Sequence, residues 1–202
     1  MFIADVGQGD VEEVNILNVG ENTGVNFGWR IREGTFDFDN TVSPNPASTL
    51  KDPVAQYTRA GKNNGLLEVG VSVTGGIVHR GTDPALNGKY IFGDWSTQFV
   101  PAAGTFLGLE ETSPGNFDLS VLDVLGGNPI DEYVLAFGQD ENGEVYVATS
   151  TTLSPSATDP TSGLPVGAIY RIRSVPEPAT LSMLAAVALI FGLRCTNRKR
   201  QG

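Results

Sequence analysis

Cysteine and histidine are nearly missing from this chain. The single cysteine, Cys195, has no partner for an internal disulfide and no thiolate set for a structural zinc site. The single histidine is His79. Basic residues are also scarce: 13 Lys and Arg stand against 23 Asp and Glu, for a net charge of −10. Four of the 13 basic residues lie beyond residue 193, which leaves 9 basic against 23 acidic residues, a balance of −14, over residues 1–193. A body of that sign has no basic stripe for phosphates, which excludes nucleic acid as a partner. The first residues, Met1-Phe2-Ile3-Ala4-Asp5-Val6, carry no basic region, no apolar run of leader length and no small-residue cleavage site, so they predict no secretion signal. Long helical patterns are few as well. With 25 Gly and 12 Pro among 202 residues, the composition predicts an all-β chain of short strands and many turns.

What is present is a repeated strand grammar, clearest over Val71–Trp95. Val71, Val73, Ile77, Val78, Tyr90, Ile91 and Phe92 are β-branched or aromatic, and Gly75, Gly76, Gly81, Pro84, Gly88 and Gly93 bound the runs. Two strands joined by a polar turn are predicted there. Residues 1–17 predict two more around Gly7-Gln8-Gly9-Asp10, and Pro53–Tyr57 a short one. Phe117–Leu125 alternates, and Tyr133–Phe137 and Glu144–Thr149 flank a hairpin turn at Asp140-Glu141-Asn142-Gly143. Residues 18–70 are otherwise irregular, the pattern of a functional loop or an insertion.

Residues 71–125 thus supply about four strands, the content of one propeller blade, and residues 130–173 about three. A ring of six blades at roughly 40 to 50 residues each needs more chain than the ~170 residues before the tail. The expected fold is an all-β, incomplete six-bladed-type β-propeller of about two to three blades, the C-terminal part of a larger ring.

Several motifs carry a family resemblance in their order and spacing. Phe2-Ile3-Ala4-Asp5-Val6-Gly7-Gln8 is followed by Glu12-Glu13-Val14-Asn15, then by Asn26-Phe27-Gly28-Trp29 with Glu33-Gly34. Val73-Thr74-Gly75-Gly76 through Arg80-Gly81 comes next, with Gly88-Lys89-Tyr90-Ile91-Phe92-Gly93-Asp94, and last Phe137-Gly138-Gln139-Asp140 to Gly143-Glu144-Val145-Tyr146-Val147. Together they resemble the glucose/sorbosone dehydrogenase family over about residues 1–173. The resemblance implies a six-bladed propeller whose catalytic members oxidise sugars with pyrroloquinoline quinone (PQQ) and calcium.

The resemblance also implies roles for particular residues. The family's general base is a histidine of the N-terminal half, which has no match here; His79, in a β pattern, reads as a packing or edge residue. Gly7 and Gln8 fall where catalytic relatives offer backbone carbonyls to calcium, and a tight turn is the alternative. Arg80 is the candidate partner for the carboxylates of the quinone. After Phe92 the chain reads Gly93-Asp94-Trp95-Ser96-Thr97-Gln98, without the positive charge that quinone-binding members carry. The acidic clusters Asp37-Phe38-Asp39-Asn40 and Asp140–Gly143 read as solvated turns. Trp29 and Trp95 could stack on a sugar or pack within the sheets.

The composition changes at Ser174. Ser174-Val175-Pro176-Glu177-Pro178 leads into an uncharged run, Ala179–Leu193, and then to Arg194, Arg198, Lys199 and Arg200. Fifteen residues span about 22 Å as a helix, short against a hydrocarbon core of ~30 Å, and the basic end fits a cytoplasmic side. This three-part tail resembles a PEP-CTERM sorting signal. It implies a transmembrane helix in the inner membrane, export of the body to the periplasm or cell surface, and an exosortase-type enzyme cutting near Pro176-Glu177-Pro178. The expected domains are therefore 1–173, a linker 174–178 and an anchor 179–202. The functional expectation is the inactive C-terminal part of an exported sugar dehydrogenase-like propeller; the alternative is a noncatalytic binding module of the surface or matrix.

Overall fold

The computed structural model describes residues 1–21, 24–42, 49–154 and 156–175. Every regular element among them is a strand, so the all-β expectation holds. The strands form small antiparallel sheets, and among the described residues no barrel closes. In the first sheet, β1 (Phe2–Asp5) pairs with β2 (Val11–Ile16), which pairs with β5 (Ala55–Thr58). β3 (Arg32–Glu33) and β4 (Phe36–Asp37) make a separate hairpin. The second sheet is a four-stranded meander of β6 (Val73–Val78), β7 (Tyr90–Asp94), β8 (Thr105–Ser113) and β9 (Asn116–Val121). The third joins β10 (Tyr133–Gln139), β11 (Val145–Ser150) and β12 (Gly167–Arg171). The predicted strands over 1–17, 71–125 and 130–173 are all present. The β3–β4 hairpin, inside a stretch expected to be irregular, is an addition: its two-residue strands are too short to show a period.

The sheets stack in chain order with the second in the middle. One apolar core, including Val14, Tyr57, Val73, Tyr90, Phe92, Leu107 and Leu109, fills the space between the first and second sheets. A second, built on Phe106, Val134 and Val147, lies between the second and third. This explains why β7 is buried along its whole length instead of alternating: it is an inner strand of the middle layer, with both faces covered. Phe2 of β1 stacks on Tyr90 of β7 at 4.4 Å between ring centroids and meets Phe117 edge-on, which fixes how the first sheet sits on the second. β6 has β1 on one side and β10 on the other.

β6 also gives the molecule two ends. Its register is broken between Thr74 and Ile77 by Gly75-Gly76, and Gly76 N–H donates to the Tyr90 hydroxyl at 2.8 Å. At one end of β6, Val73 N–H donates to Glu12 of β2, which follows the β1–β2 turn; at the other, Val78 leads into the polar loop 79–88. Among the described residues no helix is long and apolar enough to cross a membrane. The expected transmembrane run Ala179–Leu193 lies outside the described residues, as do Pro176, Glu177 and Pro178.

Candidate functional site

The expected site residues Gly7 and Gln8 sit in the turn between β1 and β2, and their carbonyls are already engaged. The Arg59 guanidinium donates to the carbonyl of Gly7 and, at 3.3 Å, to that of Gln8. Its Nε donates to Glu12 Oε1 at 2.6 Å, and the other oxygen of Glu12 accepts Val73 N–H at 2.8 Å. Glu12 is wholly buried; burial pushes its carboxyl up to about 7 against the opposing pull of Val73 N–H and Arg59. A guanidinium thus takes the place on these two carbonyls that a divalent cation would take. Calcium needs six to eight oxygens, and the two carbonyls this turn could offer already accept from Arg59. The Gly7–Gln8 turn as folded does not fit calcium.

The same turn is held from its other side. Glu33 Oε1 accepts three successive backbone N–H groups, from Gly9 at 2.8 Å, Asp10 at 2.9 Å and Val11 at 3.1 Å. Gly7 is required by this closeness: a Cβ there would lie 1.8 Å from the Val11 carbonyl oxygen and 2.3 Å from Glu33 Oε1. Next to the turn is a cleft of about 170 Å³ lined by Asp5, Gly7, Gln8, Glu13, Trp29 and Glu33 among others. The Trp29 indole is 55% exposed at its rim and rests on Phe38, whereas Trp95 is stacked on Tyr133 as packing.

Arg80 lies beyond the other end of β6. Phe2, which starts β1, stacks on Tyr90 near Val78, and β1 then runs back toward Val73, carrying Gly7 away from Arg80. At about 3.3 Å per residue, the seven steps from Val73 to Arg80 amount to roughly 20 Å. Arg80 and Gly7–Gln8 therefore do not converge on one pocket in this chain. The Arg80 side chain is exposed and, among the described residues, hydrogen-bonds only to the Val78 carbonyl, at 3.5 Å. Its neighbour His79 is not at an edge: it is completely buried, with Nε2 3.4 Å from Glu144 Oε2.

Glu144 organises this second end. It accepts Thr82 N–H at 3.0 Å and the Thr82 hydroxyl at 2.7 Å, and pairs with Arg171 of β12 at 3.1 Å. Thr82's two donors, then Arg171 and His79, hold its carboxyl down to about 2. Asp140–Gly143 is a turn, as expected, with Asp140 Oδ1 accepting Asn142 and Glu144 N–H, whereas Asp37 ends strand β4 and only Asp39-Asn40 lie beyond it, Asp39 pairing with Arg30 at 3.0 Å. The buried carboxylates Glu12, Asp94 and Glu144 carried one signal in the sequence, since each stands in or beside an apolar strand run where a charge needs a partner.

The C-terminal stretch matches the PEP-CTERM protein-sorting motif over residues 174–199, a motif recognised by exosortase-type enzymes, which marks the chain as an exported, surface-sorted protein. The body is similar to the HIPL1 protein of Arabidopsis thaliana, 32% identical over 171 residues that cover 73% of this chain and 23% of that protein. It is also similar to the HIPL2 protein of the same plant, 31% identical over 170 residues with the same coverage. The chain spans about a quarter of the length of these curated relatives, and neither name states an activity.

Proposed function

We propose that the body is part of an exported β-propeller of the glucose/sorbosone dehydrogenase type, carried to the cell surface by its sorting tail, and that it oxidises no sugar itself. The sorting motif carries this reading, because it starts at Ser174, directly after the last strand ends at Arg171. The blade reading is supported by three small antiparallel sheets that follow one another in sequence and stack face to face, with β6 between β1 and β10. Residues 1–173 are then partial propeller, 174–178 the linker and 179–202 the anchor in the inner membrane.

Inactivity follows from the residues. No histidine is placed as a base, Arg59 fills the Gly7 and Gln8 carbonyls, and Arg80 stands at the other end of β6. PQQ and calcium are therefore not assigned to this part. The Arg59 arrangement equally favours a second reading, in which the parent propeller is a noncatalytic binding module. Its contact with a sugar would be the exposed Trp29 beside the polar cleft.

Dye reduction with glucose, PQQ and calcium tests the first claim. The full chain in detergent should match a heat-treated control, and turnover clearly above it would refute inactivity. Fractionation of an export-competent form tests the tail. The body should partition with membranes in a host lacking the processing enzyme and be released in one that has it, with Glu177→Ala blocking release. Soluble behaviour in the first host would end the anchor reading.

A further inference from the structure

The first residue of the sorting motif is part of the folded body. Ser174 N–H donates to Asp83 Oδ2 at 2.5 Å, and its hydroxyl donates to Asp83 Oδ1 at 2.9 Å, so both oxygens of one carboxylate hold one residue. Asp83 is itself fixed: its Oδ1 also accepts Ala85 N–H at 3.0 Å, and the preceding Thr82 is bound by the buried Glu144 through both its N–H and its hydroxyl. The loop closes back on the strand end, with Gly88 N–H on the His79 carbonyl and His79 N–H on the Lys89 carbonyl, each at 2.9 Å. Asp83 is thus an acceptor on a braced platform spanning the second and third sheets. On the chain's own side, the last ladder bond runs from Ile172 N–H to the Val145 carbonyl at 2.9 Å. Between that bond and Pro176 only Arg173, Ser174 and Val175 remain.

A processing enzyme binds its substrate as an extended segment of several residues about the scissile bond, so a residue held by the folded body is unavailable until that region opens locally. We propose that the Asp83–Ser174 clasp gates processing of the sorting motif. The tail is cut from the opened state, in which Ser174 has left Asp83 and Arg173–Val175 are freed from the folded body. This rests on the sorting reading and adds a control to it: the folded body sets how often its own tail is offered. Removing the carboxylate takes away two hydrogen bonds to a charged acceptor, and about a tenfold larger opened population is expected.

Trypsin reports the clasp without the processing enzyme, because the bond between the exposed Arg173 and Ser174 lies inside the gated segment. For the full chain in detergent, cleavage there should accelerate about tenfold in Asp83→Ala and a few-fold in Ser174→Ala, which keeps the backbone donor. The bond after Arg171, in the ladder, should be cut at an unchanged rate. Ser174→Ala alters a surface hydroxyl and leaves both cores intact, so it decides the matter if Asp83→Ala loosens the whole body. Rates at Arg173 within twofold of the parent in Ser174→Ala would overturn the clasp. In a host with the processing enzyme, both variants should release the body faster in a pulse-chase. Faster trypsin cleavage with unchanged release would refute gating while leaving the sorting reading intact. Absence of any release from the parent chain would refute the sorting reading itself and remove the gate with it.

Discussion

The Tyr57 hydroxyl donates a 2.7 Å hydrogen bond to Asp94 Oδ2, tying β5 of the first sheet to β7 of the second in a place closed to water. Asp94 also accepts the backbone N–H groups of Val71, Ser72 and Ser96, each at 3.0 Å. One buried carboxylate therefore satisfies four donors. Burial pushes it up to about 6, against the pull of Tyr57 and the three backbone groups.

Asp94→Ala should cost about 4 kcal/mol of folding stability, because it leaves buried donors unsatisfied, and Tyr57→Phe about 2, because it removes one donor from an acceptor that keeps three. Urea unfolding of the full chain in detergent measures both. Equal losses in the two variants would mean that the backbone donors find water when Asp94 is gone.

Gly70 exists for the same carboxylate. A Cβ at Gly70 would lie 2.1 Å from Asp94 Oδ1, so Gly70→Ala should displace Asp94 and lower stability by about 1–3 kcal/mol. The double variant with Asp94→Ala should lose clearly less than the two single losses added together. Additive losses would show that the alanine strains something else.

Glu12 sets a pH dependence. Its folded value of about 7 stands above the ordinary 4.5, so its protonated form favours the fold: that contribution is full below 4.5 and is lost as pH rises through about 7. Glu144 works in the opposite direction, since its value of about 2 gives stability that is present above 4.5 and lost as pH falls through 2. Thermal unfolding should therefore peak near the middle of the acid range. Glu12→Gln should flatten the decline between pH 4.5 and 7, a window on the order of 3 kcal/mol. An unchanged decline in that variant would assign it to other groups, Asp94 first.

Arg59→Met should cost about 3–5 kcal/mol, because it leaves Glu12 buried without its cation and frees two carbonyls. Adding Glu12→Gln should recover part of that loss, and the double-mutant cycle gives the coupling. If the two losses simply add, Arg59 is held by the Gly7 and Gln8 carbonyls and not by the acid.

The sequence by itself determined the class of this protein and the place where it changes character. Alternating Val, Ile, Tyr and Phe between glycines located the strands, because the pleat has a period of two and turns need residues without a Cβ. The break at Ser174 was legible because an uncharged run with a basic end differs in composition from an acidic body, and the sorting motif matches from that residue onward. Gly7, Gln8 and Arg80 could be named from their motifs, but a motif states no distance. Only the tertiary structure decided that β6 holds Arg80 and the Gly7–Gln8 turn apart, and that Arg59, more than fifty residues along the chain, donates to the Gly7 and Gln8 carbonyls. It likewise decided that His79 is buried against Glu144, and that Asp83 reaches Ser174 across 91 positions. Such pairings follow from how whole sheets stack, and stacking is set by the summed burial of Tyr57, Tyr90, Phe92, Leu107 and their neighbours, which no local pattern encodes.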